Sequence, residues 1–208
     1  MGSSSMTRNT TLFIRLLCFF SLASSSIDLR LNMANETTEF KSTEVEALKV
    51  RLAELLPGVL LKWSEFRDQM RVVCPAAELG SCLKAFKAAG FDQLTDLTAV
   101  DLLEYGNVND RFEVVYCLLN IDTGLRLIAK IHLNEPDLTI PSATSVWFGA
   151  DWLEREVYDM YGIVFEGHPN FKRLLLPEAF QSFPLRKDYP VKGRGERHNF
   201  PVITRAES

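Results

Sequence analysis

The chain has 208 residues, of which 47% are hydrophobic and 24% charged, with a formal net charge of −4. This suits one folded domain with extensions and gives no support to a general nucleic-acid binder, which would be basic. Cys18, Cys74, Cys82 and Cys117 show no Cys-x-x-Cys spacing, so a disulfide framework, a structural zinc or an iron–sulfur cluster held by this chain alone is not expected. Residues 1–40 read as a leader with the apolar run LFIRLLCFFSLA, too short for a membrane span and interrupted by Arg15. A signal peptide, an organelle transit peptide and a true start at Met33 all fit. The third is preferred, and the segment is expected to be disordered.

From Ser42, apolar residues at 45, 48, 52, 55 and 56 recur at helical steps until Pro57-Gly58. VLLKWSEF and QMRVVC read as two short strands joined by a polar turn. Pro75 opens a second helix that Gly90 closes. FDQLTDLTAVDLL reads as a strand, and Asp122-Thr123-Gly124 joins RFEVVYCLLNI to LRLIAKIHL as a hairpin. Residues 134–141 read as a proline-bounded loop, and a helix follows from Thr144 or Ala150 to Tyr161, stopped by Gly162. The expected fold is α+β: a mostly antiparallel sheet of four to five strands with helices on one face, spanning residues 41–165.

Residues 166–208 then read as an extended, proline-containing tail that binds a partner. From Glu166 onward, eight basic residues face five acidic ones, giving +3 against −7 for the rest, which suits an acidic partner surface. In the helix before it, Asp151, Arg155 and Asp159 stand four apart, so one guanidinium could bridge two carboxylates, with Glu154 and Glu156 to either side. Gly162 and Gly167 permit unusual backbone angles, and Pro169 fixes the next segment. Arg173, Arg186 and Lys187 offer cations beside Asp188, while Tyr189, Pro184 and Pro190 supply rigid contact area. An acid–base or metal site at Glu156, Asp159 and His168 is the hydrolase alternative, weakened by the cation of Arg155 among them.

Glu154-Arg155-Glu156, Asp159, Met160-Tyr161, His168, Lys172 and Leu174-Leu175, followed by PLRKDYP at 184–190, resemble two signatures of one family. That family is the 30-kDa subunit of proton-pumping NADH:quinone oxidoreductase, respiratory complex I, in its bacterial type. The chain departs from the pattern at Gln181-Ser182-Phe183, where Gly-His commonly precedes the proline. The resemblance implies a non-catalytic structural subunit with no redox centre of its own. NADH, quinone, FMN and iron–sulfur clusters would be handled by other subunits. Its implied partners are the large quinone-site subunit and the adjacent cluster-bearing subunits, with no nucleic acid. Membrane association would come through those partners, at the cytoplasmic side of a bacterial inner membrane. The signature residues Glu154, Arg155, Glu156, Asp159, Gly162, Gly167, His168, Pro169, Lys172, Arg173, Pro184, Arg186, Lys187, Asp188, Tyr189 and Pro190 would form the partner surface. In particular, Arg186, Lys187 and Asp188 are expected to act on a partner and not in the fold of this chain. The alternatives are the equivalent subunit of a membrane-bound hydrogenase or plastid-type quinone reductase, a free-standing hydrolase, and a secreted binding domain.

Overall fold

The computed structural model describes residues 43–195, apart from Asp68 and Asn107. The leader, the Ser42 cap and the chain beyond Gly195 lie outside the described residues. The chain divides into two units, residues 1–50 and 51–208. Helix α1 covers residues 43–55, and its early turns, with a Lys49–Glu46 ion pair at 2.6 Å, are all that is described of the first unit.

In the second unit, α1 finishes with Leu52 and Leu56 buried, whereas Leu55 is turned outward. Gly58 follows at φ +85°, a conformation that ends the helix without a Cβ clash. Strands β1 (Lys62–Phe66) and β2 (Gln69–Cys74) form an antiparallel hairpin. A short 3₁₀ turn at Ala76–Glu78 leads into α2 (Leu79–Ala88). Then come β3 (Gln93–Asp101), β4 (Phe112–Leu119) and β5 (Arg126–Leu133). The β4–β5 turn is fixed by Asn120, whose side-chain oxygen accepts the N–H groups of Asp122 and Thr123, with Gly124 at φ +72°.

The five strands lie in the order β1-β2-β5-β4-β3, antiparallel except for the parallel β2–β5 pair, which α2, β3 and β4 connect. Strict alternation sets the two faces of this sheet. Phe112, Val114, Tyr116 and Leu118 are buried and sit opposite Leu133, Ile131, Ala129 and Leu127, while the residues between them are half-exposed. Each fully buried large side chain contributes about 1.5–3 kcal/mol, so a one-residue slip of register would lose the whole set. The α2 side chains Leu79, Cys82, Leu83 and Phe86 add to the core.

Two parts of the chain depart from the sequence expectations. Residues 134–141 are not only a loop: they end in strand β6 (Thr139–Pro141), which pairs in parallel with β7 (Val164–Glu166). Helix α3 (Ala150–Tyr161) forms the crossover between these two strands. The core is also not finished at Phe165. Phe180 is buried, and the N–H of Leu185 donates to the carbonyl of Met160 at 3.2 Å. Chain beyond 165 therefore packs onto the domain.

Candidate functional site

Helix α3 is amphipathic in an uncommon way, because two carboxylates, Glu154 and Asp159, are fully buried with Val157 and Met160. A buried charge needs partners, and each finds them in a different segment. Glu154 accepts the Ser142 hydroxyl and the Ala143 N–H, both at 2.6 Å, which fastens the helix to the exit of β6. Burial pushes its carboxyl above the ordinary range, against the pull of these two donors and of His168.

Asp159 organises the chain that follows β7. Its Oδ2 accepts the N–H groups of Leu174, Leu175 and Leu176 at 3.1, 2.7 and 2.8 Å, and its Oδ1 lies 2.7 Å from the Arg173 guanidinium. Burial alone would raise this carboxyl, but the three N–H groups and the guanidinium together hold it below the usual range. Arg155 works on the same loop from the other sign of charge. Its guanidinium donates to the carbonyls of Lys172 and Arg173 at 3.0 and 3.4 Å. The expected bridge from Arg155 to Asp151 or Asp159 does not form, because Asp159 is saturated by Arg173 and backbone donors.

His168 closes the preceding turn. Its Nδ1 accepts the Asn170 N–H at 3.1 Å, so Nε2 carries the donor hydrogen; Nε2 lies 3.1 Å from both the carbonyl and the carboxylate Oδ1 of Asp151. Its ring meets Phe171 edge-on, and Phe171 packs on Tyr158 at 4.4 Å between centroids. Gly167 supports the same turn at φ +83°, and Pro169 is exposed.

A second network holds residues 183–190. Gly162 caps α3 in the left-handed region at φ +79°, and a Cβ there would come within 2.6 Å of the Phe183 ring. The Arg186 guanidinium donates to the Tyr161 carbonyl at 2.6 Å and to Glu135 at 2.8 Å, with the rings of Phe183 and Phe112 on its faces. Arg111 gathers Glu135 at 2.8 Å, Asp188 at 3.0 Å and the buried Asp101 at 3.5 Å. Asp101 in turn accepts the N–H of Lys187 at 2.8 Å. The Arg111 guanidinium holds the Asp188 carboxyl below its usual range.

The expectation that Arg186, Lys187 and Asp188 take no part in the fold is thus corrected: their polar groups bind Tyr161, Glu135, Asp101 and Arg111 of the same chain. Pro184 and Tyr189 are half-buried against the domain, and Pro190 is exposed. Nor are Glu156, Asp159 and His168 gathered into one site. Asp159 is spent on the 173–176 loop, His168 faces Asp151, and Glu156 is exposed. Among the described residues no group of three or more His, Cys, Asp or Glu side chains could hold a metal ion. Among the side chains that the stretch presents outward are Trp152, Glu156, Lys172, Leu175, Leu185 and Lys187.

Sequence reasoning missed Asp101, Arg111 and Glu135 as the anchors of the tail. A signal existed in β3, where Leu97, Ala99 and Asp101 alternate onto one buried face. A carboxylate at the end of such a row demands a cation.

Comparison with known proteins identifies the family of the chain. The model of the respiratory-chain NADH dehydrogenase 30 Kd subunit family matches residues 72–195. An NADH-quinone oxidoreductase subunit from Citrifermentans bemidjiense is 41% identical over 145 residues, covering 69% of this chain and 88% of that protein. The mitochondrial NADH dehydrogenase [ubiquinone] iron-sulfur protein 3 of Candida albicans is 35% identical over 209 residues, covering 90% of this chain and 74% of its own. Among solved structures, the trypsin-resistant fragment of Nqo5 superposes with a TM-score of 0.54 at 32% identity, over 61% of this chain and 98% of that one. The chain belongs to the 30-kDa subunit family of respiratory-chain NADH dehydrogenase.

Proposed function

We propose that this chain is a non-catalytic structural subunit of the peripheral arm of a proton-translocating NADH:quinone oxidoreductase. It packs there against the large quinone-site subunit and the neighbouring cluster-bearing subunits. NADH, FMN, iron–sulfur clusters and quinone are then handled by those other chains. Among the described residues no helix is long and apolar enough to cross a membrane. On this reading the subunit is held at the cytoplasmic face of a bacterial inner membrane by its partners. The observation that carries the reading is the use made of the signature charges. Arg155, Asp159, Arg173 and Arg186 are spent on shaping the chain at 172–176 and 183–190, and Glu154 on the segment 142–143, so the signature charges build a contoured surface. Of the side chains presented outward, Trp152 is of a type enriched at the centre of partner contacts.

The test is to tag the chain in its host, solubilise membranes gently and resolve them on a native gel. Co-migration with NADH dehydrogenase activity and the quinone-site subunit is expected. Migration as a free monomer with hydrolase activity would overturn the reading.

A further inference from the structure

The sheet face opposite the core carries a concentration of positive charge that the signature stretch does not account for. At the β1–β2 end, Phe66 is 51% exposed and has two guanidinium groups over its ring, Arg67 at 5.1 Å and Arg71 at 4.7 Å. Register puts Arg71 opposite Ile128 on this face, and Arg126, two residues earlier on β5, faces the same way. None of these three arginines has a carboxylate within ion-pair distance among the described residues, in a chain whose net charge is −4. Arg71 is half-buried, with its Nε shielded from solvent. Arg67 holds φ +50°, an uncommon conformation for a residue with a Cβ, and it brings the second guanidinium onto Phe66.

We propose that this end of the sheet face, built on Phe66, Arg67, Arg71 and Arg126, docks a carboxylate-bearing segment of a partner protein. The inference rests on the reading that the chain works inside a multisubunit complex. Charge complementarity selects the occupant. Guanidinium groups stacked on an aromatic ring keep their N–H edges directed outward in a plane, the arrangement that binds a carboxylate through two parallel hydrogen bonds. The exposed Phe66 edge adds apolar contact at the centre of the charged rim.

The experiment uses the full chain expressed in its host. Arg71→Glu is expected to lower the amount of assembled complex about tenfold or more on native gels, with the melting temperature of the purified chain unchanged. The paired variant Arg67→Gln with Arg71→Gln removes both charges but keeps polar side chains, and is expected to lower assembly in the same direction. Arg71→Lys in the assembled complex, treated with a water-soluble carbodiimide, should give an amide from position 71 to an aspartate or glutamate of another subunit, read by mass spectrometry. This arm decides the matter if the charge reversal fails to fold. Full assembly of Arg71→Glu, or cross-links confined to this chain, would overturn the proposal. So would loss of binding to phosphatidylglycerol vesicles with assembly intact, since the occupant would then be lipid. If the wild-type chain never co-migrates with NADH dehydrogenase activity, the complex reading itself fails; if wild type and Arg71→Glu co-migrate equally, only the docking site falls.

Discussion

Asp159 and Arg173 stand 2.7 Å apart at the base of a loop whose next three N–H groups point to the other oxygen of the same carboxylate. The pair therefore sets the path of residues 173–176 and not merely a local charge balance. Removing one partner of a buried, hydrogen-bonded ion pair costs about 3–5 kcal/mol, because the other is left uncompensated. Asp159→Ala should lose stability of that order in urea unfolding. Arg155→Ala, which gives up two bonds to carbonyls near the surface, should lose only about 0.5–1.5 kcal/mol for each. The reverse ranking would show that Arg155 is the true organiser of the loop.

The two buried carboxylates of α3 should respond to pH with opposite sign. Asp159 has a folded pKa below its unfolded value of about 4, so its stabilisation is full above that pH and fades as pH falls further. Asp188 acts in the same direction, though it is half-exposed and screened. Glu154 has a raised pKa, so the folded state holds its proton more tightly and stability falls as pH rises from about 4.3 through the folded value. Glu154→Gln should therefore show a flatter stability curve than wild type above about pH 4.3, measured by thermal unfolding across pH. An unchanged slope would mean that Glu154 does not titrate in that window.

Arg186 binds both the Tyr161 carbonyl and Glu135 while packed between two aromatic rings. Arg186→Ala should destabilise the isolated chain by about 1.5–3 kcal/mol, the usual range for hydrogen bonds involving a charged group. It should also release residues 183–190, seen as new protease cleavage at Lys187. An isolated variant with wild-type stability would return this segment to a purely intermolecular role.

Gly162→Ala tests the join between helix and tail. The left-handed φ costs a residue with a Cβ roughly 1–2 kcal/mol, and the approach of Phe183 and Arg186 adds steric conflict. Circular dichroism should report a lower melting temperature with the helix content largely kept. Equal stability would show that Phe183 moves aside without loss.

Much of this was legible in the chain, for reasons that differ by element. The β4–β5 hairpin is announced by alternating apolar residues on both sides of Asp122-Thr123-Gly124, because a half-buried sheet imposes a period of two. Strand β6 escaped because three residues, Thr139–Pro141, are too few to show a period, and its partner β7 lies beyond a whole helix. The residue types of the signature were visible, but their roles were not. Glu154 and Asp159 look like a solvated charged face until loops at 142–143 and 173–176 are brought over them. The same holds for the tail: Arg186 and Glu135 are 51 residues apart, and only tertiary packing joins them.

The most direct test of the central claim is native-gel separation of membranes from a host whose own copy carries a tag, followed by in-gel NADH oxidation and identification of co-migrating chains. The account expects the tag in the band that oxidises NADH, together with the quinone-site subunit, and loss of that assembled band when the chain is deleted. A tag found only as a free monomer, with NADH:quinone activity unchanged by the deletion, would contradict it.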